Sequence, residues 1–450
     1  MTEVFKPRVT VRDLRRVNRA ALLRPLFLDG PLNRAQLGEV TGLTGASITN
    51  LVAELLEEGL IAEAGTEESD GGRPRGLLRV NPSYGSIVGV TVREQEVCME
   101  VFDLSLQSLA RRVLVVNVEE EPVASVIRQV VIGVQELIDR VQTPGQAIAI
   151  GIAVPGGVEH SPDYVVHAPK IGWESVPLAK LVEEGVALPV LVENDAKALG
   201  QAEMWFGAGR GAREVMVADI GDGVGAALFH GGTPYNGFAS SAGEWGHMCI
   251  VAEGRRCRCG ARGCLEAYVG AWAIMERWAE NDRRLRRVRP QQWQSCIERL
   301  VATAAGSPGS RQLLQETATY LGIGAANVVN FLNPERIVLG GWAGLLLGPA
   351  VLPRVREVVA EQALAYPAQH VSIEVGKLGS ASHGLPAATL VMSEVLANGG
   401  QLGASGARPS RASRDQALVQ RGVANASWTR RANSVGGPVA GSRKRGAPVE

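Results

Sequence analysis

No stretch of the 450-residue sequence holds the ~18 consecutive apolar residues that a bilayer-crossing helix needs, so no transmembrane segment is predicted. The basic N-terminal residues Lys6, Arg8, Arg12, Arg15, Arg16 and Arg19 precede no apolar stretch of the kind a secretory signal carries. Net charge is missing as well: 46 Lys plus Arg balance 46 Asp plus Glu. Overall charge therefore argues neither for nor against a nucleic-acid partner, and its distribution has to be read instead. Cysteine is scarce, six in all, too few and too unevenly spread for a disulfide scaffold. Three of the six fall between positions 257 and 264, the pattern of a metal loop in a reducing compartment. These absences predict a cytoplasmic chain with no membrane partner. What is present is ordinary for a soluble globular protein, 46% hydrophobic and 20% charged residues, with length for about three domains.

Composition divides the chain into residues 1–83, 84–397 and 398–450. Residues 10–80 carry helical periodicity followed by a Gly/Arg/Pro turn and a short strand. From about Ser86 the chain alternates β-branched runs (Ile87–Val92, Ala147–Val154, Val190–Glu193, Val215–Ile220, Ile337–Leu339) with amphipathic stretches. That alternation predicts an α/β body built of βαβ units. Beyond Asn398 there is almost no apolar periodicity. Nine basic residues (Arg408, Arg411, Arg414, Arg421, Arg430, Arg431, Arg443, Lys444, Arg445) face only Asp415 and Glu450. Such a segment buries too little apolar surface to offset its ordering entropy, and a disordered, solvated tail is predicted.

The first region reads as a winged helix-turn-helix. Asp13–Leu28 forms a basic amphipathic helix with Leu14, Val17, Ala21, Leu22 and Leu26 expected inside. Asn33 and Gln36 form a capping box for a second helix, with Leu37 and Val40 expected inward and Gly42 ending it. Thr44 caps a third helix, Gly45–Glu58, whose Ile48, Leu51 and Leu55, with Leu60 beyond, point to the core. Ala46, Ser47, Thr49 and Asn50 are left on the outer face near its start. Small and polar residues there let a helix enter the major groove, with Asn50 able to reach a base edge. The run Gly71-Gly72-Arg73-Pro74-Arg75-Gly76 makes a short basic wing whose Arg73 and Arg75 suit a minor groove. A helical docking domain is the plainer alternative, but it leaves the wing and the polar helix start without a purpose. Basic charge gathers on the first helix and the wing, where phosphates would lie.

The densest chemical signal is His247 followed by Cys257, Cys259 and Cys264. One imidazole and three thiolates make a closed tetrahedral set of the structural-zinc type. Gly260 and Gly263 let the loop double back. Unrelated free thiols or a disulfide are the bland alternatives, and Cys249 is a competing ligand.

With these residues in view the sequence resembles the ROK family of repressors, open reading frames and sugar kinases. The resemblance rests on Glu193-Asn194-Asp195, on Ala242 to His247, on the Cys-x-Cys-Gly-x-x-Gly-Cys run with Leu265-Glu266, and on Asn333-Pro334-Glu335 through Gly340-Gly341. It spans residues 10 to about 395, and the winged start is similar to the family's NagC/Mlc/XylR-type regulators. It implies an actin-like/hexokinase-like fold of two α/β lobes closing on a sugar. It also implies sugar contacts from Asn194, Asp195, Glu244, His247 and Glu266, with Asp195 matching the kinases' general base and His247 shared between zinc and sugar.

The departures bear on function. Where the family's kinases open a first phosphate loop, the sequence has Thr91 for the acid and Val92-Arg93-Glu94 for the glycines and threonine. The second loop reads Gly221-Asp222-Gly223-Val224-Gly225, with Asp222 where phosphate oxygens would sit. Branched and charged side chains block a phosphate cradle. Two like charges repel by ~1 kcal/mol at 4 Å in water and several-fold more when partly desolvated. The expectation is a sugar-responsive DNA-binding regulator without kinase activity, holding structural zinc. It binds an operator and a sugar or sugar phosphate, and it pairs as a homodimer or homotetramer so that two recognition helices span adjacent half-sites. The alternatives are an active ROK sugar kinase with an appended DNA-binding domain, favoured by intact Asp195, and a regulator with a vestigial sugar pocket answering to a protein partner.

Overall fold

A computed structural model describes residues 10–67, 74–141, 145–160, 163–379 and 383–401. Gly71, Gly72 and Arg73 of the wing, residues 402–450 of the tail predicted to be disordered and the first nine residues lie outside the described residues. Residues 398–401, assigned to that tail from composition, are instead packed on the fold, Asn398 donating to the Glu394 carbonyl and Gly399 accepting from Arg19.

Helix α1 (Val11–Asp29) starts at a capping box between Thr10 and Asp13. Strand β1 (Leu32–Asn33) leads into α2 (Arg34–Thr41), where the Asn33 side chain accepts from the N–H groups of Ala35 and Gln36 and the Gln36 side chain answers to the Asn33 N–H. Gly42 ends α2 in the left-handed region, φ 69°. Thr44 caps α3 (Gly45–Glu57), which buries Ile48, Leu51, Val52 and Leu55. Strands β2 (Ile61–Glu67) and β3 (Arg75–Val80) form the antiparallel hairpin of the wing, and β1 completes a three-stranded sheet. Three inward assignments are corrected. Leu14, Val17 and Val40 are 54%, 56% and 65% exposed. In the first turns of α1 it is Arg15 and Arg16 that reach other elements, pairing with Glu54 and donating to Asn398, while Leu14 and Val17 lie away from the buried stripe, which begins at Arg19 and Leu22. Helix α2 has only two turns and presses a single side chain, Leu37, into the core.

The body has two lobes, each on a five-stranded mixed sheet. In the first, β4 (Ser86–Val92), β5 (Glu96–Asp103) and β6 (Ser108–Val115) form an antiparallel meander. Helix α4 (Val123–Arg140) then leads to β7 (Ala147–Val154), parallel to β4. A small sheet of β8 (Gly157–Glu159), β9 (Val165–Ala168) and β10 (Trp173–Pro177) follows. Helix α5 (Leu178–Val186) connects to β11 (Val190–Asn194), parallel to β7. Every residue of β4 is buried, as a strand covered on both faces requires. Helix α6 (Asp195–Phe206) crosses to the second lobe.

The second lobe repeats the scheme. Strand β12 (Val215–Ile220) pairs antiparallel with β13 (Val224–His230), which carries β14 (Thr233–Pro234) at its edge. The metal loop runs from the end of β14 to α7 (Glu266–Val269) and is followed by α8 (Ala271–Asn281), α9 (Trp293–Thr303) and α10 (Pro308–Leu332). Strand β15 (Arg336–Gly340) lies parallel to β12; α11 (Gly341–Gln362) and α12 (Ala365–His370) then lead to β16 (Ser372–Val375), parallel to β15. The five strand runs read from the sequence are β4, β7, β11, β12 and β15.

The last helix, α13 (Leu385–Ala397), returns to the first lobe. A Cβ on Gly89 of β4 would stand 2.1 Å from the Gly384 carbonyl oxygen, and one on Gly151 of β7 2.0 Å from that of Ala387. Only glycine lets the helix backbone approach the sheet this closely. One hydrophobic cluster joins Leu22, Leu23 and Leu26 of α1 to Phe102, Trp205, Met392 and Val395 of the body. Arg19, 5% exposed, donates to the Gly399 carbonyl and pairs with Glu58. The winged module is therefore cored together with the body rather than tethered to it.

Candidate functional site

A cleft of about 630 Å³ brings Asn194, Asp195, Glu244, His247 and Glu266 onto one surface. Strand β11 delivers Asn194 to the cap of α6, where its side-chain oxygen accepts from the Lys197 N–H at 3.2 Å. Its amide donates to the Gly156 carbonyl at 2.9 Å and to Asp195 at 3.1 Å. The Ala196 N–H also donates to Asp195, at 2.9 Å. Burial, then the neighbouring Asp219, push the Asp195 carboxyl up to about 7 against these bonds and the Arg93 and Lys170 cations. On the opposite wall Glu266 is fully buried at the start of α7. It accepts from Lys170 at 2.9 and 3.0 Å and from the Val224 N–H at 3.0 Å. Lys170 belongs to the first lobe and Glu266 to the second, so this pair spans the cleft. Glu244 is more open, with its carboxylate 4.0 Å from His247 Nε2.

His247, Cys257, Cys259 and Cys264 offer ligand atoms that all lie within 4.8 Å of one another. His247 Nδ1 is 3.8 Å from Cys257 Sγ, and Cys259 Sγ is 3.8 Å from Cys264 Sγ. A tetrahedral ion with sulfur ligands at ~2.3 Å sets its ligands about 3.8 Å apart, so the donor set fits zinc. Gly260 and Gly263 turn the loop at φ 94° and 77°. Cys249, the competing ligand, is exposed and points to the Val251 carbonyl at 3.6 Å, outside the cluster. With Nδ1 toward the sulfurs, the imidazole presents Nε2 to the side of Glu244.

The two segments read from the sequence as altered phosphate loops both line the same cleft, through Thr91, Arg93 and Glu94 and through Gly221 to Gly225. Thr91 is occupied, donating to the His383 carbonyl at 2.5 Å. Arg93, Glu94 and Gln95 make the tight turn between β4 and β5, and Glu94 meets Arg258 of the metal loop at 3.2 Å. Burial and Glu94 push the Asp222 carboxyl up to about 6, with Arg93 and Arg258 opposing. Burial likewise raises Asp219, at the end of β12. Lys170, Arg258 and Asp219 were not found from the sequence. Asp219 had a usable signal, an acid at the carboxyl end of a buried strand pointing to a crevice. Lys170 and Arg258 had none, because their partners lie 96 and 164 residues away.

At the far end of the molecule, Ala46, Thr49 and Asn50 are exposed on α3 and Ser47 is half-buried. Two hydroxyls are used locally: Ser47 meets Thr44 at 2.9 Å and Thr49 donates to the Gly45 carbonyl at 2.8 Å. The Asn50 amide makes no hydrogen bond among the described residues, which leaves its donors and acceptor open. Arg75 opens β3, exposed, in register with Glu67 of β2.

A model of the ROK family matches residues 87–394. A xylose repressor of Caldicellulosiruptor bescii is 29% identical over 393 residues, covering 85% of this chain and 97% of that protein. A glucokinase of Halalkalibacterium halodurans is 33% identical over 240 residues, 52% of this chain and 72% of that one. Among solved structures, a ROK family transcriptional regulator, a homolog of the Escherichia coli MLC protein, superposes with a TM-score of 0.73 at 24% identity. It covers 86% of this chain and 98% of that one. The fold is the actin-like/hexokinase-like one, preceded by the N-terminal helices and hairpin. The repressor match thus takes in 85% of this chain and the glucokinase match 52%.

Proposed function

We propose that this chain, which belongs to the ROK family, is a sugar-responsive DNA-binding transcriptional repressor of carbohydrate-metabolism genes. The observation that carries this reading is helix α6. Its first turn holds Asn194 and Asp195 in the cleft. About 18 Å away, its last residues Trp205 and Phe206 pack edge-on against Phe27 of α1, ring centroids 5.6 and 5.9 Å apart. A rigid rod thus has one end among the sugar contacts and the other against the first helix of the DNA module. Lobe closure on a sugar, engaging Asn194, Asp195, Glu244, His247 and Glu266, shifts that rod and with it the pair of modules in a homodimer or homotetramer. Ala46, Ser47, Thr49 and Asn50 meet base edges of the operator, and Arg73 and Arg75 meet the minor groove. Zinc held by His247, Cys257, Cys259 and Cys264 is structural; when bound it fixes the loop that carries Glu266 and orients His247.

A second reading, a residual sugar kinase, draws on Asp195, whose raised carboxyl suits a general base. The two altered loops weigh against it, since Arg93, Glu94 and Asp222 occupy the phosphate path. Turnover of ATP on any hexose at roughly 1–100 per second would overturn the repressor-only reading. The decisive experiment measures operator binding with and without effector sugar in the parent and in Asp195→Asn. The variant is expected to keep its DNA affinity and to lose the response. A variant that answers the sugar like the parent breaks the reading.

A further inference from the structure

The run Gly221-Asp222-Gly223 borders the cleft with a different side chain at each end. At Gly221 an added Cβ would stand 3.2 Å from Nε1 of Trp342, in the first turn of α11. At Gly223 it would stand 2.9 Å from Glu266 Oε2 and 3.4 Å from Lys170 Nζ. Two residues of chain span at most ~7 Å. The half-buried indole and the sugar-site carboxylate each come against one end of this short run, and both line the same cavity. Asp222 stands between them and Arg93 faces it, both lining the cleft, with Leu345 and Pro386 beyond.

The cavity, at about 630 Å³, is larger than one monosaccharide requires and falls among cavities of roughly 300–1,000 Å³ that hold ligands of several rings. Its former phosphate half no longer suits phosphate. Glu94, Asp219 and Asp222 line it, and Arg258 is engaged with Glu94. What these groups match is an uncharged polyol. The apolar face of a sugar ring packs on an indole, its hydroxyls donate to carboxylates, and a guanidinium donates back to its oxygens. We propose that this half of the cleft is a second sugar subsite and that the effector is a neutral disaccharide. One ring sits among Asn194, Asp195, Glu244, His247 and Glu266, and the other lies over Trp342 beside Asp222. The proposal rests on the sugar-responsive reading and specifies its ligand.

The test is calorimetric titration of the full-length protein with xylobiose, cellobiose and maltose, against xylose, glucose and glucose 6-phosphate. At least one disaccharide is expected to bind about tenfold or more tighter than its own monosaccharide, with glucose 6-phosphate weaker than glucose. Trp342→Ala is expected to bring that disaccharide down to the monosaccharide's affinity while changing the monosaccharide less than about twofold. Asp222→Asn, nearly isosteric, reports on the same subsite if the Trp342 variant does not fold; it is expected to narrow the disaccharide advantage and to admit glucose 6-phosphate. A monosaccharide that binds as tightly as its disaccharide overturns the second subsite and leaves the sugar-responsive reading standing. So does a Trp342→Ala variant that weakens both equally, or preferred binding of the sugar phosphate. Silence from sugars of both sizes overturns the sugar-responsive reading itself.

Discussion

The outer face of α3 and the cleft carry the two candidate functions in opposite ways. On α3, Ala46, Thr49 and Asn50 are exposed, and the helix is held from behind by Ile48, Leu51, Val52 and Leu55. Among the described residues the Asn50 amide makes no hydrogen bond and Thr49 bonds within its own helix. In the cleft, apart from the more open Glu244, the candidate side chains are bound to others. Glu266 is gripped by Lys170 and a backbone N–H, Asn194 caps a helix, and His247 lies against three cysteines. A reading surface can vary freely because folding energy lies behind it. A buried polar site is part of the folding energy, so change there propagates.

The largest expected effect breaks the contrast at its most interdependent point. Cys257→Ser or Cys264→Ser is expected to abolish stoichiometric zinc, measured by metal analysis, and to weaken sugar binding with it. Structural zinc contributes on the order of 10–16 kcal/mol in small isolated sites. Full zinc retention in both variants sinks the assignment of this loop.

Next comes the junction between the regions. Trp205 is 5% exposed at the end of α6, and Trp205→Ala is expected to cost about 3–5 kcal/mol of stability by denaturant melts. In the fraction that stays folded, sugar should still bind but its effect on DNA should fade. An intact sugar response in that variant would remove α6 as the transmitting element.

The reading surface should give losses confined to DNA. Arg73→Ala with Arg75→Ala is expected to flatten the dependence of log affinity on log salt by about two units, with the melting curve unmoved. Asn50→Ala is expected to cost about 1–3 kcal/mol on the cognate site and far less on random DNA. Equal loss on both sequences would make Asn50 a phosphate contact.

A further effect concerns pH. The Asp195 carboxyl is raised from its ordinary 3.8 to about 7, so the folded state binds a proton that the unfolded chain has released. Its stabilising contribution is whole below about pH 4 and is lost as pH rises through about 7. Asp195→Asn cannot ionise and escapes that loss. The melting temperature of the variant minus that of the parent should therefore grow from pH 4.5 to pH 8. A difference that shrinks over this range would contradict the burial of this carboxyl.

Local chemistry was enough to write down much of this molecule from its sequence. The caps at Asn33 and Thr44, the stop at Gly42, the strand runs of both lobes and the four-ligand metal set each depend on residues close in the chain, where propensity and spacing act directly. The exposed start of α3 was legible for the same reason, since a helix sorts its own faces. What failed were the statements needing to know what stands opposite: Leu14, Val17 and Val40 have the right periodicity but stay more than half exposed. Tertiary structure alone decided that the winged module shares a core with the body, through Leu26, Trp205 and Met392. It also decided that Lys170 meets Glu266, that Arg258 meets Glu94, and that burial moves Asp195 and Asp222. Those are contacts between residues far apart in the chain. Their strength comes from excluded water, which no local pattern encodes.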